Sequence, residues 1–351
     1  MDFEAAKKKG RLVEHHEELN YWRFKEDFHE VLRGTVIIGN RFISGFPKIK
    51  RIFTLEKGLA KNMPAEDVYV EEKIDGFNLR VLSEGGKTFA FSRGGFLDVF
   101  STEKVRGIRF ESFFKKYPKY TLCGEMIGNT PYTFPAKGYD VKLLVFDILD
   151  EESKLIPVEE KYSLLKKFGI ISVPVLGKLK TSDLKKLKQI ALSINKDKKE
   201  GMVLKSSDRK HVVKYVVPNS DIEDIAHASH ALFNMPAGFF HQRVLRSAIF
   251  IRDMSLDRKK YAEELGQAFY EKLISQLDGA EAGEGVFDEY EISIKDVTIW
   301  DKILKHMGKE VRIEVVFKRE EGGSTRIRFK KKYKDTGKRL HEFLNGKAVE
   351  D

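Results

Sequence analysis

The 351-residue sequence has a single cysteine, Cys123, so no disulfide can form within it. That fits a reducing compartment, and a cytoplasmic protein is expected. No apolar run is long enough to span a bilayer, and MDFEAAKKKG carries no signal peptide, which sets aside the membrane and secreted classes. Internal repeats and low-complexity tracts are lacking, so solenoid and disordered classes are also set aside. Glutamine is scarce beside abundant lysine and glutamate, a composition resembling a thermophile's. What the chain does have is charge. A net charge of +10 favours a polyanionic partner.

The length allows two to four modules with real cores. Residues 1–34 read as helix, mixed charged and aromatic, and 35–63 as strands and turns. From 65 to 217 short strands dominate: VYVEEKI, FNLRVL, TFAFS, YTLCGEMI, KLLVFDIL, MVLKSS and HVVKYVV. Helices interrupt them near 101–117, 158–168 and 181–194. The order predicts an antiparallel-rich α+β domain over 65–218, behind an N-terminal module at 1–64. Ser220 and Glu223 then form a capping-box signature. Further helices at about 239–254 and 256–277 make 219–281 an all-helical module. Its surplus apolar positions, such as Val244, Leu245 and Phe269, suit a dimer surface or packing on its own domain. GAEAGEG at 279–285 reads as a linker. Beyond it EYEISIKDV, IWDKILKHM, EVRIEVVFK, TRIRFKKKY and GKRLHEFLN predict strand, helix, two strands and helix within a basic domain at 282–351. There Arg326, Arg328 and Lys330 alternate on one strand face. The choice is between a stripe for phosphates and an ordinary solvated face.

The stretch EEKIDGFNLR at 71–80 reads as a hairpin turning at Asp75-Gly76. That register places Lys73 opposite Asn78 and Glu71 opposite Arg80, all four on one polar face. A surface hairpin with a Glu71–Arg80 pair is the plain interpretation. Four more stretches bear on the choice. FSRGGF puts Arg93 and two glycines directly after a strand, where backbone can approach a ligand. LCGEMIG places Glu125 in an apolar strand, costly unless a cation or donors meet it. EGMVLK sets Glu200 and Lys205 at the two ends of a strand. VVKYV places Lys214 between valines, where a phosphate is a natural partner. Each taken alone could be a local ion pair or an ordinary turn.

In order these are E-K-x-D-G, S-R-G-G, G-E, F-D, E-G-x-V-x-K and V-K-Y. The set resembles the signature of the covalent nucleotidyltransferases, which comprise ATP-dependent DNA and RNA ligases and GTP-dependent capping enzymes. Within that superfamily the whole chain is similar to the archaeal homodimeric ATP-dependent RNA ligases. The resemblance implies a nucleotidyltransferase fold with an N-terminal module, a helical dimerisation domain and a small C-terminal α/β domain. It implies ATP and Mg²⁺, an RNA substrate and a homodimer. It also implies roles. Lys73 would attack the α-phosphate of ATP and carry AMP. Glu71 would contact the adenine, and Phe146 would stack on it. Asn78 and Arg93 would hold ribose and α-phosphate. Glu125 and Glu200 would hold the ribose or a divalent metal, and Lys205 and Lys214 would neutralise phosphates. AMP would then pass to an RNA 5′-phosphate, and a 3′-hydroxyl would seal the strand.

The sequence departs from the superfamily pattern in three places. Asn78 stands where DNA-type ligases carry arginine, with Arg80 two further on. Val216 replaces the second lysine of a K-x-K motif. A C-terminal oligonucleotide-binding barrel with R-x-D-K is not evident. These departures argue against a DNA ligase or a capping enzyme. The alternatives are a GTP-using capping-type enzyme and a catalytically silent RNA-binding module. Cys123, Trp22 and Trp300 read as core residues, His227, His230 and His241 as structural, and Lys48, Lys50 and Arg51 as an exposed loop.

Overall fold

Side-chain alternation along three central strands organises the fold, which a computed structural model describes over residues 3–133, 139–307 and 311–348. In chain order, α1 (Phe3–Lys8) precedes β1 (Leu12–His16), β2 (Asn20–Phe24), β3 (Val36–Ile38) and β4 (Arg41–Ile43). These strands form an antiparallel sheet in sequence order. The expected helix across 1–34 is thus corrected, although its residues 1–2 lie outside the described range. NYWRF is a strand because its two faces meet distinct cores, and LVEHH pairs along it with Leu12 in one of them. Tyr21 buries on one face, while Trp22 and Phe24 pack on the other.

Next come β5 (Lys50–Arg51) and α2 (Leu55–Asn62), a helix where strands and turns are expected. Then follow β6 (Asp67–Lys73), β7 (Phe77–Glu84), β8 (Lys87–Ser92), α3 (Val99–Arg106), α4 (Glu111–Lys116), β9 (Thr121–Gly128) and β10 (Val141–Leu149). After them come α5 (Val158–Lys167), β11 (Val175–Lys180), α6 (Leu184–Lys196), β12 (Gly201–Ser206) and β13 (Val212–Val216). Two sheets result, in the orders β10-β9-β7-β8 and β11-β6-β12-β13-β5. Pairings are antiparallel except at the parallel β13–β5 edge.

β6 and β7 are therefore not a hairpin. The Asp75-Gly76 link carries the chain from one sheet to the other, and Glu71 and Arg80 do not pair. A Cβ on Gly76 would lie 2.5 Å from the Met126 carbonyl oxygen, so only glycine lets the link pass so close to β9. The local turn signal yields because each strand gains more by pairing within its own sheet.

On the five-stranded sheet Val68, Val70, Met202, Leu204, Val213 and Tyr215 share one core with α2 and α6. Alternation sends Glu71, Lys73, Val203, Lys205 and Lys214 to the opposite face. On the other sheet Leu79, Val81, Leu122 and Met126 enter a second core with α3 and α4. Asn78 and Glu125 then point the other way. Each buried aliphatic side chain stabilises by roughly 1.5–3 kcal/mol, which supports sheets whose opposite faces hold charges. The two polar faces enclose a cavity.

Beyond β13, α7 (Pro218–Ala228) takes Val217 as its N-cap and Pro218 at its start. The capping box at Ser220 is corrected, because proline is already suited to the first helical turn and starts the helix earlier. A 3₁₀ turn, α8 (Phe239–Asp253) and α9 (Arg258–Glu281) follow, and α9 runs into the expected linker. Then come β14 (Phe287–Ile294), α10 (Ile299–His306), β15 (Val311–Glu321), β16 (Ser324–Tyr333) and α11 (Lys334–Leu344), in the expected order. Glu310, which opens EVRIEVVFK, lies outside the described residues. The last sheet, ordered β14-β16-β15, sends Tyr290, Ile292 and Phe329 into the same core as β7 and β9. Trp300 joins that core, and Cys123 is fully buried, where burial pushes its thiol up to about 12. Among the described residues no helix is long and apolar enough to cross a membrane.

Candidate active site

Cross-strand register builds the site. Glu71, Val203, Lys214 and Arg51 stand opposite one another across β6, β12, β13 and β5. Lys73, Gly201 and Val216 form the next row. Residues opposite one another share a face, so Glu71 and Arg51 lie at the two ends of one row. At the usual strand spacing that row spans about 14 Å. From the facing sheet Asn78 stands opposite Glu125. A bulge between Val145 and Asp147 brings both Phe146 and Asp147 to the cavity wall, which strict alternation would forbid.

Arg93 reaches the cavity from the turn after β8. Here the glycines of S-R-G-G earn their place sterically. Gly95 has φ +79°, and a Cβ on it would lie 2.5 Å from the Gly34 carbonyl oxygen. Arg23 donates to the Gly94 carbonyl at 3.2 Å and stacks over Phe96 at 3.8 Å. The N-terminal sheet thus clamps the loop that presents Arg93.

The cavity is lined by Glu71, Lys73, Asn78, Arg93, Glu125, Phe146, Lys205 and Lys214, among others. Glu200 lines an adjoining chamber of about 580 Å³ that shares Lys73. The nine residues singled out by the sequence therefore line one cavity or its adjoining chamber, which share Lys73. Lys73 Nζ donates to Glu200 Oε2. Burial pushes the Glu200 carboxyl up to about 7, against the pull of Lys73. Burial likewise pushes Glu125 up to about 8, with Lys73 opposing and the Glu200 charge adding. Lys214 is lowered to about 8 by burial first, then by Arg51, Lys73 and Arg93. Among the described residues Lys214 forms no ion pair.

Residues 66–216 match the RNA ligase family, and 227–347 match the C-terminal region of ligase Pab1020. Region 66–216 is an RNA ligase family domain, followed by a ligase C-terminal region. An Aquifex aeolicus structure, provisionally assigned as an ATP-dependent DNA ligase, superposes with a TM-score of 0.93 at 28% identity, covering 99% of each chain. An archaeal ATP-dependent RNA ligase gives 0.89 at 25% identity, covering 99% of this chain and 96% of that one. An uncharacterized protein of Methanocaldococcus jannaschii is 28% identical, covering 97% of this chain and 92% of its own length.

In this RNA ligase family domain the structure also reveals side chains that sequence reasoning missed. Glu71 accepts from Lys161 Nζ at 2.6 Å and from the Tyr162 hydroxyl at 2.7 Å, and it pairs with Lys205 at 2.7 Å. Asp147 pairs with Lys205 at 3.0 Å and with Arg209 at 2.5 Å. Lys161 and Lys205 both donate to the Phe146 carbonyl, at 3.0 and 2.7 Å. Lys205, expected to neutralise phosphates, is here tied into this buried network. Asp147 was within reach of sequence reading as part of F-D. Lys161, Tyr162 and Arg209 carried no local signal.

Arg80 is corrected as well. It is fully buried, and its guanidinium donates to the Ser44 carbonyl at 2.6 Å and the Gly34 carbonyl at 2.5 Å. Burial lowers it to about 10. Arg80 fastens the N-terminal segment to β7 and leaves the ligand face to Asn78. Lys50 and Arg51 are strand residues rather than loop. Among the described residues no cluster of three or more His, Cys, Asp or Glu forms a metal cage. His230 is buried, with Asp288 at 3.3 Å. Glu125 and the buried, unpartnered Asn78 Oδ1 line the cavity and Glu200 the adjoining chamber, and oxygen donors of this kind suit a hard divalent cation completed by phosphate and water.

Proposed function

We propose that this protein is an ATP-dependent RNA ligase that joins 5′-phosphate and 3′-hydroxyl ends of single-stranded RNA. The observation that carries the reading is Lys73 itself. Its amine enters a cavity between two sheets, bonds Glu200 and faces cations with spare donors.

In the first step Lys73 Nζ attacks the α-phosphorus of ATP. The N–P bond forms, the bond to the bridging oxygen breaks, and pyrophosphate leaves with the electron pair. Glu200, hydrogen-bonded to Nζ and with its carboxyl raised to about 7, takes the lysine proton. Lys214 and Arg93 offset charge on the transferring group, the main demand of phosphoryl chemistry. Glu125 and the Asn78 oxygen would hold Mg²⁺, which when bound withdraws electron density from the phosphate and leaves Glu200 to take the proton. Phe146 stacks on the base. A carboxylate offers about four acceptor positions, and Glu71 has three filled by protein donors. The remaining one suits the adenine amino group, whereas guanine presents a carbonyl at that carbon. AMP then passes to the RNA 5′-phosphate. Attack by the 3′-hydroxyl releases AMP and seals the strand.

The same proposal keeps four modules, 1–64, 65–218, 219–281 and 282–351. It also keeps a cytoplasmic homodimer joined through the helical one. Leu245 at 57%, Tyr270 at 62% and Ile274 at 52% exposure support such a face, and light scattering tests it. A second reading, sealing of DNA ends, draws on the Aquifex relative.

Incubation with α-labelled ATP and Mg²⁺ should leave covalent label, stable to alkali and labile to acid, on the wild type and none on Lys73→Ala. GTP should label neither. An unlabelled wild type, or equal labelling of the variant, overturns the proposal. Gel assays with 5′-phosphorylated single-stranded RNA, nicked duplex and DNA then separate the RNA and DNA readings.

A further inference from the structure

We infer that Arg51 is the seat of the pyrophosphate that leaves when Lys73 is adenylylated. This rests on the ligase reading above and assigns a residue outside the segment matched to the family. Val216, two residues past Lys214 on β13, leaves that strand with one cation where it faces the site. Arg51 stands directly beside Lys214 in the parallel β13–β5 pairing, so its side chain leaves the sheet from the same face. The neighbouring strand thereby restores the charge that β13 lacks.

Arg51 Nη1 is buried and has no hydrogen-bond partner. A buried guanidinium nitrogen left open is unfavourable unless an acceptor fills its place. The nearby charges do not fill it. Arg51, Lys73 and Arg93 act on Lys214 as like charges, while Asp221 and Glu200 favour the Arg51 charge from nearby without bonding Nη1. Glu200 is committed to Lys73. Arg243 and Arg246 of α8 line the same chamber, but each is closed on a carboxylate of α7. Arg243 lies 2.7 Å from Asp224, and Arg246 is bonded to Asp221. Arg51 thus keeps a buried guanidinium nitrogen open in a chamber where Arg243 and Arg246 are each closed on a carboxylate.

The row from Glu71 through Lys214 to Arg51 gives this position its meaning. A base held at the Glu71 and Phe146 end directs the phosphate chain along the row, past Lys214. Its far end reaches Arg51 and the wider chamber. There a planar guanidinium can take two phosphate oxygens at once. As the bond between the α-phosphorus and the bridging oxygen breaks, negative charge grows on the departing pyrophosphate, where Arg51 meets it.

The test compares wild type, Arg51→Gln and Arg51→Lys in both directions of the first step. One arm labels Lys73 from ATP. The other adds inorganic pyrophosphate to purified AMP-enzyme and measures release of ATP. Arg51→Gln should raise half-saturating pyrophosphate at least about tenfold, as expected for losing a charge-assisted pair. Arg51→Lys should recover part of the loss. Sealing of a pre-adenylylated strand should stay within about twofold of wild type, because no pyrophosphate takes part in it. Inorganic pyrophosphate should raise the melting temperature of wild type and raise that of Arg51→Gln less. This last readout needs no turnover and also reports whether the variants fold. Unchanged pyrophosphate dependence in Arg51→Gln overturns the inference. So does a defect confined to AMP transfer onto a 5′-phosphorylated strand, since the anion would then be the strand's own phosphate. An unlabelled wild type sinks the ligase reading, whereas a labelled wild type with an indifferent Arg51→Gln sinks only the role of Arg51.

Discussion

Strand β13 with its neighbour β5, and strand β16 near the C-terminus, both present cations on one face, yet they end in opposite electrostatic states. On β16, Arg326 and Arg328 close on Glu291 at 2.5 and 2.8 Å, and Lys330 lies over the Phe287 ring at 4.0 Å. On β13 and β5, Lys214 has no carboxylate partner among the described residues, and Arg51 keeps an open nitrogen. The phosphate stripe expected on β16 is therefore largely neutralised in place. What marks an anion site is burial without a counter-charge, and a high density of basic residues is not enough.

The largest expected effect tests the unneutralised region directly. Glu200→Gln should slow adenylylation of Lys73 by about 10²–10³-fold, because the lysine proton loses its acceptor. Rapid-quench labelling measures this, and a loss below tenfold would place the proton elsewhere.

The second sharpens the contrast by counting charge. The buried network joins Glu71 and Asp147 to Lys161, Lys205 and Arg209, leaving one excess positive charge. Glu71→Ala makes that excess larger and should cost about 3–5 kcal/mol in chemical denaturation. Lys161→Met removes the excess and should cost clearly less. Adding Lys161→Met to Glu71→Ala should recover part of the loss. Equal costs for the two single variants would show that net charge does not govern the network.

The third concerns a β16 cation on the core side. Lys331 lies over the Tyr290 ring at 4.0 Å, donates to the Pro131 carbonyl, and is lowered to about 8 by burial. Its charged form is disfavoured in the folded state. The penalty is full below pH 8 and fades as pH rises toward the ordinary lysine value, so this residue makes stability increase from pH 8 to 10. Lys331→Met should gain on the order of 1–2 kcal/mol at pH 7 and roughly a quarter of that at pH 10. Denaturation at the two pH values decides it, and a pH-independent difference contradicts the assignment.

The smallest effect is expected where charges are exposed and paired. Arg326→Ala and Arg328→Ala should each change stability by less than about 1 kcal/mol. Strand sealing at moderate salt should stay within about threefold of wild type. A larger loss would restore β16 as a substrate contact and break the comparison.

The sequence by itself determined the faces. Period-two alternation put Glu71 with Lys73, isolated Lys214 between valines and exposed Glu125 as an expensive carboxylate. The order of these stretches was enough to gather nine side chains in advance. Tertiary structure alone decided the partners. It turned Asp75-Gly76 from a hairpin turn into a passage between sheets and took Arg80 from the ligand face to the N-terminal segment. It brought Lys161 to Glu71 from a distant helix, and Arg51 to Lys214 from a two-residue strand. The physical reason is that a side chain's face follows from its own backbone, residue by residue. Which strand lies alongside is settled by burial and pairing between segments far apart in the chain, and adjacent residues carry no record of it.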